Sequence, residues 1–523
     1  MIVYTKKRGL IFKPKPGEQV RLQTVIPPAK TLLHRGETLM VVPHRMEETR
    51  VLRNLGYPAP SPIHYYYDWS GRFTPFEAQR HTAAFLTLYN RAYVLNDIGT
   101  GKSLATLWAW DYLRQHGLAE KLLVVAPLST LEPTWANELF QHFPHLSCGV
   151  LHGSKERRLR ILEQPHDVYI INHDGVKVIG EALETREDIT HVVVDEVAQC
   201  ARNGSTDRWK ALNSLVNATV KRAAWGLTGT PTPNAPTDAW AQCKLLTPET
   251  VPRYYTRFRE EVMRQVGTFG WVKREGAEER VHDSMQPAIR YTRDECVDLP
   301  PCLYERREIA MTTEQAKAYR EMFNRLFTSG DNGESITAAN EGVKVSKLLQ
   351  IICGVAYDSH GAEVVFGAEP RMAEVRNIVE SCNEKVIVFA PFVSAVIALR
   401  NYLVGAKIET EAIYGDVPKR QRDAIFGRFQ RGKSLRVLVA QPAAMSHGLT
   451  LTAASTIVWY APTVSNDTFE QANGRITRPG QRNKQFIIML GGTPIEQRIY
   501  TRLKNKQRTQ GTLLDMVREG RTV

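Results

Sequence analysis

Cysteine is scarce: the 523-residue chain has 7, at positions 148, 200, 243, 296, 302, 353 and 382. None forms a Cys-x-x-Cys pair, which argues against a zinc ribbon or a disulfide framework and fits a reducing compartment. Long apolar runs are absent too, since no segment reaches the roughly 18 residues of a membrane span. The opening MIVYTKKRGLIFKPKPGEQ is basic but lacks the apolar stretch of a signal peptide. The expectation is an intracellular, cytoplasmic protein that is neither secreted nor membrane-bound. There is no low-complexity tract. With 43% hydrophobic and 24% charged residues the chain can build packed cores, and its length calls for two or three domains.

The net charge of +13 is unevenly placed. Residues 1–72 carry +7 and residues 471–523 carry +8, so the 398 residues between them sum to −2. Basic ends around a near-neutral centre suggest a polyanion-binding surface, while two solvated ends that serve solubility remain the alternative.

From Tyr93 onward, short apolar runs alternate with amphipathic stretches. YVLND at 93–97, KLLVVAP at 121–127, VYIIN at 168–172, HVVVDE at 191–196 and AAWGLTG at 223–229 read as strands buried on both faces of a parallel sheet. The rhythm restarts with KVIVFAP at 385–391, EAIYG at 411–415, RVLVAQ at 436–441, TIVWYAP at 456–462 and QFIIML at 485–490. The pattern predicts two tandem, doubly wound α/β domains. The expected division is a basic N-terminal accessory module over 1–72, which its charge marks as a polyanion binder, and a first α/β domain over 73–245. A mainly helical insertion and linker over 246–375, a second α/β domain over 376–497 and a basic C-terminal helix or tail over 498–523 complete it.

The segment Asn96 to Ser103, NDIGTGKS, follows a strand and precedes a helical pattern. Such a glycine-rich turn lets the backbone around Asp97, Gly99, Thr100 and Gly101 wrap the phosphates of ATP. Lys102 then reaches the β and γ oxygens, and the Ser103 hydroxyl ligates Mg²⁺. The standard loop opens with glycine, whereas this one opens with Asn96. HVVVDE ends its strand in Asp195 and Glu196. An aspartate there can hold the Mg²⁺ shell, and the following glutamate can orient and deprotonate the attacking water. Helix capping is the alternative use of such a pair.

Together these segments resemble a Swi/Snf-type DNA translocase of helicase superfamily two, over most of residues 73–510. FTPFEAQ at 73–79 resembles the adenine-reading motif, with Gln79 as reader. LLVVAPLSTLEPTWANELFQHF at 122–143 is similar to the family stretch that follows the DNA backbone. LTGTPTPNAPTDAW at 227–240 matches the Thr-Gly-Thr-Pro segment, implicating Thr228 and Thr230 in coupling hydrolysis to movement. AMSHGLTLTAAS at 444–455, with Gly448, and FEQANGRITRPGQ at 469–481, with Gln471, resemble the closing motifs of the second domain. The resemblance implies RecA-like domains. Arg475 and Arg478, three apart, would share a helical face and act as arginine fingers toward the γ-phosphate. The family places a small residue and a histidine after the acidic pair; here Val197 and Ala198 stand there.

The implied function is a monomeric ATP-dependent motor that moves on double-stranded DNA and remodels forked DNA or DNA-bound protein. YTRDECVDLPPCLYERREIAMTTEQ at 291–315 is similar to the annealing-helicase branch. A strand-separating DNA or RNA helicase and a weakly hydrolysing DNA-binding scaffold are the alternatives.

Overall fold

The computed structural model describes residues 1–69, 71, 73–266, 270–296, 300–325, 327–329, 335–337, 341–358, 362–445, 451–478 and 481–504. The chain divides into two compact units, one ending at Cys296 and the other starting at Val297.

The first unit is built on a seven-stranded sheet. Its order is Ala288–Ile289, Arg91–Val94, Ala223–Leu227, Ile189–Asp195, Lys121–Ala126, Val168–Asn172 and Cys148–Leu151, and every neighbouring pair is parallel. Alternation of side chains gives each strand two buried faces. Tyr93, Leu123, Val125, Tyr169, Ile171, Val192 and Val194 enter one core. Val94, Leu122, Val124, Ile170, Val193 and Trp225 enter the other. This double burial explains why the strands read as continuous apolar runs.

Residues 1–72 contribute a four-stranded antiparallel sheet, ordered Ile2–Tyr4, Gly9–Phe12, Glu37–Pro43 and Lys30–His34, with a small core around Leu10, Met40, Val42 and Leu52. The Tyr65–Tyr67 run lies on the seam with the larger sheet. Tyr67 donates to Asp111 Oδ2 at 2.8 Å and packs edge-on against Tyr112, while Trp69 meets Trp108 in the same way.

The second unit has six parallel strands in the order Cys302–Glu308, Gln485–Gly491, Ala454–Trp459, Lys385–Phe389, Val437–Ala440 and Thr410–Ile413. Ile387, Phe389, Leu438, Ile457 and Trp459 face one core, and Val386, Val388, Val439 and Val458 face the other.

The stretch 246–375, expected to be mainly helical, also supplies strands. Ala288–Ile289 and Cys302–Glu308 are edge members of the two large sheets, and Met263–Val266 pairs with Gly270–Lys273 in a hairpin. Cys302–Glu308 is largely exposed and charged, so its pairing is backbone-driven and leaves no apolar run in the sequence. Most of the expected C-terminal tail, residues 505–523, lies outside the described residues. Among the described residues no helix is long and apolar enough to cross a membrane.

Candidate nucleotide site

Three adjacent strands of the first sheet end at one edge. Leu227 is in register with Val94 on one side and Asp195 on the other. With neighbouring strands about 4.8 Å apart, the loop after Arg91–Val94 and the acidic pair after Ile189–Asp195 leave the sheet roughly 10 Å from each other. The Thr-Gly-Thr segment lies between them: Thr228 N donates to Val94 O at 3.0 Å, and Thr230 N donates to Thr228 Oγ1 at 3.2 Å. An added Cβ on Gly229 would lie 3.4 Å from Asn96 O, so this segment touches the start of the glycine-rich loop.

The loop runs into the helix Lys102–Gln115. Gly99 and Gly101 have φ of 86° and 76°, in the left-handed region that costs glycine little. At Gly101 a Cβ would stand 2.0 Å from Gln79 Nε2, so any side chain there would push the Gln79 amide from its place. Gln79 is oriented from its other end, where Phe76 N donates to Gln79 Oε1 at 2.9 Å. Thr100 Oγ1 donates to Asp97 O at 2.8 Å, and the half-buried Lys102 donates from Nζ to Asn96 O and Asp97 O at 2.9 and 3.1 Å. Two of the three ammonium N–H groups thus brace the loop. Ser103, half-buried, opens the helix beside Lys102.

Asn96 has a structural reason to replace glycine. Its Nδ2 donates to Thr82 Oγ1 and its Oδ1 accepts from Tyr291 N, both at 2.9 Å, so one amide ties the loop to the helix Glu77–Leu88 and to the 288–293 segment. Asp97 is held from that segment as well. Its carboxylate pairs with Arg290 Nη2 at 2.6 Å and accepts from Arg293 N at 2.9 Å.

Asp195 is 8% exposed, and its Oδ2 accepts from the indole of the fully buried Trp135 at 2.9 Å. Oδ1 accepts from Glu196 N at 3.1 Å. The Asp195 carbonyl accepts from His173 Nε2 at 2.8 Å, which fixes the proton on that nitrogen because a carbonyl can only accept. Glu196 has φ 50° and ψ 50°, a left-handed backbone uncommon for a residue with a side chain, where the chain turns into the helix Val197–Cys200. Val197 and Ala198 are buried, and Val197 packs near Gly226.

The electrostatics follow from this burial. Desolvation lowers the Lys102 ammonium, opposed by the negative fields of Glu196, Asp195 and Asp97. Desolvation raises the Asp195 carboxyl, opposed first by the Trp135 hydrogen bond and then by the Lys102 charge. His173 is pushed down to about 4 by burial and is neutral at ordinary pH.

The expected positions divide as follows. Gln79, the 97–103 loop, Asp195, Glu196, Thr228 and Thr230 are assembled at one sheet edge. Trp135, within the 122–143 stretch, is in the core beneath that edge and holds Asp195. Arg290, Tyr291, Arg293 and His173 were not anticipated. They reach the site through backbone pairing from distant parts of the chain, and His173 alone had a local signal, following the strand Val168–Asn172.

In the second unit the shared helical face expected for the two arginines is corrected. The helix Asn466–Asn473 ends before Arg475, and the chain continues in a turn with Arg475 N donating to Ala472 O at 3.2 Å. Gly474, a poor helix former, follows the last helical residue and accounts for the stop. Trp459 Nε1 also takes the Asn473 side chain at 2.9 Å. Arg475 is 2% exposed and its carbonyl accepts from Leu451 N; Arg478 is half-buried, with Nε donating to Gly474 O at 3.1 Å. Gln471 donates to Asp467 Oδ1 at 3.0 Å. Gly448 lies outside the described residues.

Comparison with known proteins connects this geometry to a family. The SNF2-related domain model matches residues 79–355, and the helicase conserved C-terminal domain model matches residues 371–480. Protein p41 of Acyrthosiphon pisum secondary endosymbiont phage 1 is 25% identical over 475 residues, 85% of this chain and 99% of that protein. The DNA annealing helicase and endonuclease ZRANB3 of Bos taurus is 23% identical, with 85% of this chain matching 41% of that protein. The chromodomain-helicase-DNA-binding protein 8 of Danio rerio is 24% identical, with 77% of this chain matching 17% of it. The chain therefore spans nearly all of the phage protein but under half of either vertebrate one. Among solved structures, the Sulfolobus solfataricus SWI2/SNF2 ATPase core in complex with dsDNA has 23% identity and a TM-score of 0.42, covering 87% of this chain and 95% of that one. With the SNF2-related model matched over more than half of its length, this chain belongs to the SNF2-related family of helicase-like, nucleic-acid-dependent ATPases.

Proposed function

We propose that the protein is a motor that hydrolyses ATP while moving on double-stranded DNA and remodels branched DNA or DNA-bound protein. The observation that carries this reading is the convergence of the 97–103 loop, the acidic pair and the Thr-Gly-Thr segment on adjacent strand ends, with the Gln79 amide set against Gly101. In this assignment Gln79 reads the adenine. The backbone of Gly99, Thr100 and Gly101 and the ammonium of Lys102 hold the phosphates. Ser103 and Asp195 offer hard oxygen donors of the kind Mg²⁺ prefers, and the ion supplies positive charge to the phosphate oxygens when bound. Glu196 orients the attacking water and takes its proton.

Arg475 and Arg478 are assigned the role of arginine fingers, and Thr228, Thr230, Gly448 and Gln471 that of coupling hydrolysis to movement. Residues 1–72 are assigned to DNA binding. The printed name of ZRANB3, a DNA annealing helicase and endonuclease, favours DNA as the track. Asn96 and Ala198, which would support a weakly hydrolysing scaffold, have other uses here: Asn96 stitches the loop in place and Ala198 is a core residue.

ATP hydrolysis measured without nucleic acid and with single-stranded DNA, duplex DNA, forked DNA or RNA tests the assignment. Duplex and forked DNA should stimulate most. Greater stimulation by RNA, or none by any nucleic acid, would overturn it.

A further inference from the structure

A cavity of about 710 Å³ lies where the small N-terminal sheet meets the first ATPase domain. That volume is within the roughly 300–1,000 Å³ range of ligand sites. Its lining includes Lys6, Lys7, Arg8, Lys30 and Arg45, and no carboxylate. Each cation is exposed, and among the described residues none of the five has an ion-pair partner. Five uncompensated positive charges around one concavity repel one another, so an anion bound there relieves a cost the fold otherwise carries.

The backbone arrangement concentrates that charge. Lys6 and Lys7 sit in the tight turn Thr5–Lys7, and Arg8 follows with φ 46°, a left-handed conformation rare for arginine. The strained turn is pinned by His44 N, which donates to Arg8 O at 2.7 Å. The Arg8 guanidinium lies 4.9 Å from the Tyr66 ring centroid. His44 adds little to the charge: burial lowers its pKa and favours the neutral ring, in which Nε2 donates to Pro60 O at 2.8 Å and Nδ1 accepts from Tyr66 O–H at 3.0 Å.

The rest of the lining is apolar or aromatic. Ile11, Val41, Val42 and Pro43 belong to the floor, and Tyr4, 43% exposed, stands at the edge. Cations interleaved with apolar and aromatic surface match a ligand whose phosphates alternate with flat bases. Free polyphosphate would use the cations and leave the remaining surface uncovered. A cube of this volume is about 9 Å on a side, room for a few nucleotides of one strand, whereas a duplex could offer it only backbone phosphates and would leave the apolar lining unused.

We propose that this cavity is a binding site for an unpaired nucleic-acid strand, taking the backbone phosphates and bases of about two nucleotides. The inference rests on the assignment of residues 1–72 to DNA binding and gives that module a specific ligand, the single-stranded arm of a branched substrate.

The test uses the full-length protein and a fluorescent single-stranded oligonucleotide, titrated at several salt concentrations, with Lys30→Glu/Arg45→Glu as the variant. Both positions are exposed, and a matching melting curve is the folding control. The variant should bind the oligonucleotide about tenfold more weakly or worse. Its log affinity against log salt should flatten by about 1.4, from two lost phosphate contacts at roughly 0.7 each. Affinity for a blunt duplex should change less than that for the oligonucleotide. If the double variant melts early, each single variant should show about half of the slope change.

Unchanged oligonucleotide affinity and slope would overturn the proposal. An equal loss on blunt duplex would assign the cavity to duplex backbone, competition by polyglutamate as strong as by unlabelled oligonucleotide would assign it to an acidic protein, and equal competition by inorganic pyrophosphate to free polyphosphate. Each of these also overturns it. Duplex-stimulated ATP hydrolysis by the unmodified protein is a separate readout: its loss counts against the motor assignment and leaves the strand-binding result standing.

Discussion

Trp135→Phe removes one hydrogen bond from the nucleotide site while keeping an aromatic ring in the core. The indole donates to Asp195 Oδ2 at 2.9 Å, with Trp135 fully buried and Asp195 8% exposed. A hydrogen bond to a charged group contributes about 1.5–3 kcal/mol, and Phe leaves the carboxylate oxygen without that donor. Taking about 2 kcal/mol, and roughly 2–4 °C per kcal/mol for a domain of this size class, the first unit should melt roughly 4–8 °C lower. The functional effect has a different origin. The indole bond fixes the orientation of the Asp195 carboxylate, and losing such an outer-shell partner typically costs about 10–100-fold in metal affinity. If about 1.4 kcal/mol of the loss is felt there, the Mg²⁺ concentration for half-maximal ATP hydrolysis rises about tenfold. Trp225→Phe is the matched control, because that buried indole also donates at 2.9 Å, but to Tyr89 O. It should lose about 1 kcal/mol, as for a bond to a neutral carbonyl, and keep the Mg²⁺ dependence. Equal Mg²⁺ dependence in the two variants would refute the reasoning that Trp135 acts through Asp195.

Further outcomes follow from the same geometry. Lys102→Ala and Glu196→Gln should both abolish turnover, but only Lys102→Ala should weaken ATP binding strongly; equal loss of binding in both, measured by equilibrium titration, would reverse the division between phosphate holder and base. Arg478→Ala should lower kcat by roughly 10³-fold with nearly unchanged ATP affinity, as for a group acting on the transition state. Arg475→Ala, at a residue only 2% exposed, should also lower the melting temperature, and a rate within a few-fold of normal in both variants would remove the arginine-finger assignment. Burial holds His173 down to about 4 and His191 down to about 3, against an ordinary 6.5. The unfolded chain therefore takes up protons first as pH falls below 6.5, so stability present above that pH is lost on acidification. At pH 5 each histidine should cost about 2 kcal/mol relative to pH 8 in denaturant unfolding, and His191→Leu should remove about half of their combined pH dependence.

How much of this was legible from sequence depended on where the signal was stored. Nine central strands announce themselves because their apolar runs are buried on both faces; the tenth expected strand, Thr410–Ile413, is a half-buried edge strand. Cys148–Leu151 offers only a Val-Leu pair, Ala288–Ile289 is only 2 residues long, and Cys302–Glu308 is mostly polar, so none of the three carries a local signal, although Leu151 and Ile289 are fully buried in the cores. In the site, Lys102, Asp195, Glu196, Thr228 and Thr230 are local motifs whose chemistry travels with their spacing. Arg290 and Arg293 come to Asp97 and Ile98 from almost two hundred residues away, and no local pattern records that approach. Asn96 reads as a departure until Thr82 and Tyr291 are beside it. The arginines after Asn473 misled for the opposite reason: a three-residue spacing suggests a helix face, but the helix had already ended.

The central claim is that hydrolysis drives movement on intact duplex, and triplex displacement tests it most directly. With ATP and Mg²⁺, the protein should release the third strand of a triplex joined to a duplex track while unwinding a simple tailed duplex poorly, and Glu196→Gln should do neither. Efficient unwinding of the tailed duplex without release of the third strand would contradict the account and identify a strand-separating helicase instead.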